Sequence, residues 1–142
     1  LDPGLQEARL RLGKLLLDVG RAVEAESLLA EVDERGADER QRYLARLFLG
    51  RVAERLGRPE EALRLYRRAL ETWPDSQAAR LALAHGLERS SGPAAPLVLV
   101  GATLEASRRR DRADDPWWLF LFGPVELTRA ALERVWARAL DP

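Results

Sequence analysis

The feature that most constrains this chain is an internal repeat. Three features recur 37 residues apart: Leu12-Gly13 and Leu49-Gly50, Gly20 and Gly57, and Glu24-Ala25 and Glu61-Ala62. A weaker copy follows 34 residues later, where Leu83-Ala84 matches Leu49-Gly50. Self-similarity at such a period is typical of chains that stack one structural unit on the next. We therefore predict one domain over residues 1–142, with repeats at about 6–38, 43–76 and 77–110.

The repeated unit is predicted to be helical. Leu, Ala, Arg and Glu dominate the chain, and apolar residues recur at steps of three and four. Glycine and proline divide the pattern into helices. The predicted helices run from Pro3 to about Val19, from about Ala22 to Asp33, from an Asp38 cap to Leu56, from Pro59 to about Thr72, and from an Asp75 cap to about Arg89. Ser90-Ser91-Gly92-Pro93 is predicted as a turn, and three further helices follow up to about Leu140.

The second copy has the most specific pattern, with Leu49, Gly50, Gly57, Ala62, Tyr66, Ala69 and Pro74. The first copy keeps Gly13, Gly20 and Ala25, with Leu29 in the place of Tyr66. These residues at these spacings resemble the tetratricopeptide repeat family, whose unit is a helix-turn-helix of about 34 residues. Arg46 departs from the family pattern, which often has Trp there. The resemblance implies an all-α, right-handed solenoid of three helical hairpins, with a degenerate C-terminal helical cap at about 115–140.

The small residues predict how the hairpins pack. We expect Gly50 and Ala62 to face each other where two antiparallel helices cross, because small residues let the helix axes approach closely. Tyr66 would pack against the next hairpin, and Ala69 would leave room for it. Pro74 ends the helix so that the next hairpin can begin.

The composition excludes most catalytic chemistry. There is no cysteine, and the single histidine, His85, has Leu81 and Arg89 at helical spacing, so no metal pair forms around it. The 23 basic and 23 acidic residues balance, and the one basic run, 108–112, contains no aromatic residue for base stacking. We therefore predict no enzyme activity, no cofactor, no metal and no nucleic-acid partner. No apolar run is long enough to span a membrane.

The resemblance implies a partner-binding groove lined by the first helices of successive hairpins. Its floor would be apolar, with Leu10, Leu44, Phe48 and Ala82. Its border would be polar, with Lys14, Arg51, Arg55, His85 and Arg89, and Glu7, Leu17, Asp18 and Ala78 would lie on the same side. Such a groove suits a peptide with apolar anchors and acidic flanks. It would equally suit a flanking segment of this same chain.

The stretch DDPWWLFLFG, residues 114–123, is the second notable feature. A short helix that is apolar all round must be buried on more than one side. We expect it to plug the end of the solenoid, with the following helix as a lid. One alternative is that Trp117, Trp118, Phe120 and Phe122 form a self-association patch, which would make a homodimer, or a partner-docking site. The other is a membrane-interface wedge.

These features predict a protein-protein interaction scaffold that binds a protein or peptide in its groove. The alternatives are a self-association module, or the accessory array of a larger enzyme. The 22 arginines against one lysine indicate a GC-rich genome, and we expect a bacterial source. The compartment is left open, with the cytoplasm as the default and the periplasm or secretion as alternatives.

Overall fold

The computed structural model describes residues 3–36, 38–91, 101, 115–117 and 120. It contains five long helices, named α1 (Pro3–Asp18), α2 (Ala22–Arg35), α3 (Glu39–Arg55), α4 (Pro59–Thr72) and α5 (Gln77–Ser91). Residues 101, 116, 117 and 120 are also helical, and no strand occurs among the described residues. The loops that join the five helices are short, which makes consecutive helices antiparallel neighbours. The fold is therefore an all-α helical repeat, as the sequence predicts.

The same turn joins the two helices of the first and second hairpins. Gly20 and Gly57 have φ angles of 83° and 73°, a left-handed conformation that glycine adopts without the steric penalty of a Cβ. The amide after each glycine donates to a carbonyl five residues back, from Arg21 to Leu16 and from Arg58 to Ala53, at 2.8 Å in both cases. This is the Schellman arrangement that ends many helices. The glycine period in the sequence thus corresponds to a repeated turn.

The helix starts confirm two predicted signals and correct a third. The Asp38 side chain accepts from the Gln41 amide at 2.7 Å, as an N-cap does, and Pro59 occupies the first turn of α4. The predicted Asp75 cap is wrong. α5 is capped one residue later by Ser76, whose hydroxyl accepts from the Ala79 amide at 3.0 Å.

Two helix ends also lie further along the chain than predicted. α2 continues to Arg35, two residues past the predicted end, and α5 continues through Ser90 to Ser91. The serines of the predicted turn are therefore helical. The Ser90 hydroxyl donates to the Gly86 carbonyl at 3.1 Å, an internal bond that lets serine remain in a helix.

The glycines inside the first helices make room for a large side chain, which differs from the prediction. A Cβ added at Gly50 would lie 2.6 and 2.9 Å from Cδ1 and Cζ of Tyr66, and closer still to Cε1. One at Gly13 would lie 2.7 Å from Leu29, the equivalent of Tyr66 in the first hairpin. Gly50 therefore packs against the Tyr66 ring, not against Ala62 as predicted. Ala62 and Ala69 are both buried in the core.

A polar bridge centred on Arg46 connects α2, α3 and α4. Its Nε donates to Asp33 of α2 at 2.6 Å, and its Nη1 donates to the Thr72 hydroxyl of α4 at 2.5 Å. Both charged side chains are mostly shielded from solvent, so the pair is screened less than a surface ion pair. Arginine thus connects successive helices at the position where the resemblance leads one to expect Trp.

Several predictions fall outside the described residues or go untested by them. The second helix of the third hairpin and the C-terminal cap lie outside the described part of the chain, apart from the few residues named above. Nothing tests the domain boundaries or the right-handed sense of the solenoid, and both stay predictions. Of the described helices, none is long and apolar enough to cross a membrane.

Candidate functional site

The predicted groove residues lie on α1, α3 and α5, and we call the side of these helices that carries them the groove face. Three of the four predicted floor residues are not open. Leu10, Leu44 and Phe48 are all 0% exposed, so no partner can reach them while the rest of the chain stays in place. The expectation of an accessible floor at these three positions is corrected. Ala82, the fourth floor residue, is only partly buried.

Two aromatic side chains from a later part of the chain cover the floor. The rings of Trp117 and Phe120 lie with their centroids 5.5 and 5.2 Å from that of Phe48, each tilted by 55°. These are favourable distances and tilts for aromatic pairs. The Arg11 guanidinium lies 5.0 Å from the centroid of the Phe120 ring, on the outer side. We call residues 115–117 and 120 the docked segment.

The carboxylate of Asp115 anchors the docked segment to the start of α5. Asp115 is buried, and its Oδ2 accepts from the Gln77 amide at 3.0 Å and from the Ser76 hydroxyl at 3.2 Å. Its Oδ1 accepts from the Tyr43 hydroxyl at 3.1 Å and from the Trp117 amide at 3.0 Å. A helix N-terminus presents unpaired amides and a positive dipole end, so it is a favourable place for a buried anion. The carboxylate therefore has its hydrogen-bonding capacity largely satisfied by protein groups.

Tyr43 and Ser76 complete this buried network. Their hydroxyl oxygens lie 2.5 Å apart, and both residues are 0% exposed. Burial raises the pKa of the Tyr43 phenol, and the nearby charge of Asp115 raises it further. Burial also raises the pKa of Tyr66, with the Glu54 carboxylate adding to the effect. Both phenols are therefore neutral hydrogen-bond donors over the whole physiological pH range.

The raised pKa values of these two tyrosines predict that the folded protein loses stability at alkaline pH. A tyrosine in the unfolded chain ionises near pH 10. Tyr43 and Tyr66, the two tyrosines of the chain, stay protonated in the fold. Their contribution to the free energy of unfolding is therefore complete below about pH 10. It is lost as the pH rises above that value, at up to about 1.4 kcal/mol per tyrosine and pH unit.

Absorbance at 295 nm, where tyrosinate absorbs, and circular dichroism during alkaline titration would check this prediction. We expect a single step, in which tyrosinate appears together with the loss of helix. Ionisation of either tyrosine while the helices remain intact would contradict it.

Within the described part of the chain, two open pockets lie beside the docked segment. One, of about 370 Å³, has Trp117 as one wall, and the predicted groove residues Arg51, Ala82 and His85 line it together with Ala78. The other, of about 350 Å³, lies between Phe120 and α1 and is lined by Lys14, Arg11, Leu15 and Asp18. The structure thus brings the predicted polar border together in two separate places, divided by the aromatic side chains.

The remaining border residues do not converge on one point. Arg55 is exposed near the end of α3, and Arg89 lies 3.9 Å from the Glu54 carboxylate. In the first pocket the buried Tyr66 hydroxyl lies beside the Glu54 carboxylate, and both residues line the pocket. The lining combines apolar side chains with Arg51 and Glu54, so the polar edge of the pocket carries both signs of charge. Such a pocket suits a largely apolar ligand group with a polar end.

The described residues of the segment singled out in the sequence pack against Phe48 of α3 and the start of α5. The rest of the predicted plug and its lid lie outside the described residues. Phe120 is 4% exposed and Trp117 is partly buried, so these two of the four predicted self-association residues face the protein itself. Trp118 and Phe122 lie outside the described residues. The described part of the chain contains no cluster of acidic, histidine or cysteine side chains that fits a metal ion.

The sequence prediction missed the residues that hold the segment. The sequence pattern assigns no binding role to Asp115, Tyr43 or Ser76. The Tyr43–Asp115 hydrogen bond spans 72 positions of the chain, beyond any local spacing rule. The one available signal was the pair Asp115-Pro116 before an aromatic run, since a carboxylate next to a strongly apolar segment requires a polar partner once it is buried.

The comparisons with known proteins agree with the helical-repeat fold. A family model described as a tetratricopeptide repeat matches residues 44–86, and a second model with the same description matches residues 6–31. No curated protein matches the chain. A solved structure named MamA MSR-1 C2 superposes with a TM-score of 0.62 over 73% of this chain, at 24% identity, and this match spans 58% of that protein's length. At that identity the likeness shows the fold alone. Because both family models match the helical hairpins described above, this chain is a tetratricopeptide repeat protein.

Proposed function

We propose that this protein is a non-catalytic scaffold whose groove face binds a short protein segment with the chemistry of its own docked segment. That chemistry is a carboxylate followed two and five residues later by aromatic side chains. In the isolated chain the docked segment fills the site, and a partner segment of the same kind displaces it. Tetratricopeptide repeats supply a rigid scaffold for this kind of protein interaction.

The single observation that supports the proposal is the combined position of Asp115, Trp117 and Phe120. The carboxylate meets amides and hydroxyls at the start of α5, and the two rings cover Phe48. These contacts hold a contiguous segment by its side chains at one polar point and one apolar surface, which is how folded domains recognise short peptides. The partly open pocket bordered by Arg51 and His85 offers further room for a longer partner segment.

A competition experiment tests the proposal. The probe is a fluorescent peptide with the sequence of residues 112–123, RADDPWWLFLFG. The receptor is the chain itself with two substitutions, Asp115→Asn and Phe120→Ala, which loosen the docked segment. We expect this receptor to bind the peptide at least ten times more tightly than the unchanged chain does, because in the latter the site is already filled.

The matched control is the same peptide with asparagine at the position of Asp115. Hydrogen bonds to a charged group are worth about 1.5–3 kcal/mol, so this peptide should bind roughly ten to a hundred times more weakly. Anisotropy titrations measure both affinities, and circular dichroism verifies that the receptor is folded. Equal affinity for the two peptides, or a folded receptor that binds neither, would refute the proposal.

A further inference from the structure

α1 carries an exposed apolar stripe on the side opposite its core face. We define the α1 stripe as Leu5, Ala8, Leu12, Leu15 and Val19, which alternate at steps of three and four residues. That spacing places them along one side of a helix, in the pattern of a helix-helix seam. Their exposure is high for such large apolar side chains, from 48% at Leu12 to 62% at Val19. Ala8 is exposed as well.

The later hairpins bury the same positions. The equivalents of the α1 stripe in α3, 37 residues on, include Ala45, Leu49 and Val52, which are 0%, 9% and 0% exposed. α3 is covered by α2, the antiparallel helix that precedes it.

The third hairpin repeats the arrangement. Ala79 and Leu83 of α5 are buried, and a Cβ at Gly86 would lie 2.9 Å from Leu63 of α4. In both later hairpins this face is therefore covered by an antiparallel helix, whereas in α1 it is bare.

We propose that two copies of this chain pair through their α1 stripes, so that each stripe covers the other. The two α1 helices are antiparallel, about a two-fold axis between Leu12 and Leu15. This arrangement sets Leu12 against Leu15 of the second copy and Ala8 against Val19 of the second copy. One patch serves both copies, as a two-fold interface requires. The small Ala8 leaves room for Val19 of the second copy, so the two helices can approach closely.

Charges along one edge of the stripe favour the same arrangement. Arg11 and Asp18 lie next to the stripe with half-exposed side chains of opposite sign. With the axis between Leu12 and Leu15, Arg11 of each copy lies at nearly the same height as Asp18 of the other. In a parallel two-fold pair these edges would lie on opposite sides of the two helices, and the opposite charges would not meet. The charges therefore favour the antiparallel arrangement, while the apolar stripe supplies most of the contact area.

Sedimentation of the full chain over a range of concentrations tests the proposal. A single-helix interface is small, so we expect a monomer-dimer equilibrium with Kd on the order of 10 μM. Leu12→Glu places a charge at the centre of the interface and should weaken the dimer at least about thirty-fold, a loss typical of a central anchor residue. Leu81→Glu is the matched control, because Leu81 is a leucine of α5 that is 50% exposed, and it should leave the dimer unchanged.

Crosslinking tests the antiparallel geometry in a chain that has no cysteine of its own. A single cysteine at Leu12 lies near the two-fold axis and should react across the dimer with a short bismaleimide. A single cysteine at Leu5 would lie roughly 25 Å along the helix axis from its counterpart and should not. A chain that stays monomeric at concentrations far above the expected Kd, a dimer that survives Leu12→Glu, or equal crosslinking at Leu5 would overturn the proposal.

Discussion

Gly50→Ala is expected to destabilise the protein by about 2 kcal/mol, although alanine is the better helix former. A glycine-to-alanine change inside a helix is normally worth about 0.5–1 kcal/mol in favour of alanine. At Gly50 the added Cβ would fall within 2.6 Å of a ring carbon of Tyr66, a distance that real Cβ atoms do not adopt. Tyr66 is 0% exposed and the added Cβ meets its ring, so relief of the clash requires either a rotation of the ring toward the neighbouring pocket or a shift of α4. Overpacking of this kind costs about 1–3 kcal/mol and sometimes more, which outweighs the helical gain.

Denaturant unfolding of two further variants would separate the clash from other causes. Gly101→Ala is the matched control, because Gly101 is helical and no atom lies within 4 Å of its added Cβ, so it should be neutral or slightly stabilising. Combining Gly50→Ala with Tyr66→Ala removes both partners of the clash. The double variant should then be more stable than the sum of the two single effects by about 1–2 kcal/mol. Strict additivity would show that Tyr66 is not the cause.

The fold could be predicted from the sequence wherever the signal is local. The Gly20 and Gly57 turns, the Asp38 cap and Pro59 each act within a few residues, and the helices begin or end within about two residues of these signals. The prediction failed where the contact partner is a side chain on another helix. A small residue at Gly50 indicates that something approaches closely, but the spacing alone does not distinguish Ala62 from Tyr66 as that neighbour.

The groove residues were found from the resemblance, but their accessibility was not. The repeat pattern places Phe48 on an open groove because it takes no account of the residues that follow the repeats. The rings that cover Phe48, those of Trp117 and Phe120, lie about 70 positions further along the chain. No periodicity reports such a contact, because the docked segment itself lies beyond the predicted repeats. The aromatic run does indicate that the segment must be buried, but it does not indicate which surface of the protein buries it.

Asp115→Ala is expected to have a still larger effect, with a loss of about 3 kcal/mol from the free energy of unfolding. The carboxylate accepts from the side chains of Tyr43 and Ser76 and from the backbone amides of Gln77 and Trp117. Removing it leaves several donors to find other partners, and a group left unsatisfied in a buried site costs about 1–3 kcal/mol. Tyr43 and Ser76 can still bond to each other at 2.5 Å, which limits the loss. The docked segment should also detach, because its one polar anchor is gone.

Three measurements distinguish detachment of the segment from general unfolding. In the Asp115→Ala variant we expect tryptophan emission to shift to longer wavelength as Trp117 enters water. An apolar dye should bind where Phe48 becomes uncovered, while circular dichroism should report that α1 to α5 persist. Asp75→Ala is the matched control: Asp75 is an exposed carboxylate just before the same helix and lies 3.9 Å from Arg80, so its removal should cost about 0.5 kcal/mol or less. If the two variants lost equal stability, the Asp115 carboxylate would contribute no more than a surface charge. The docked segment would then be held by its aromatic contacts alone, and a partner carrying aromatic residues without an acid should displace it equally well.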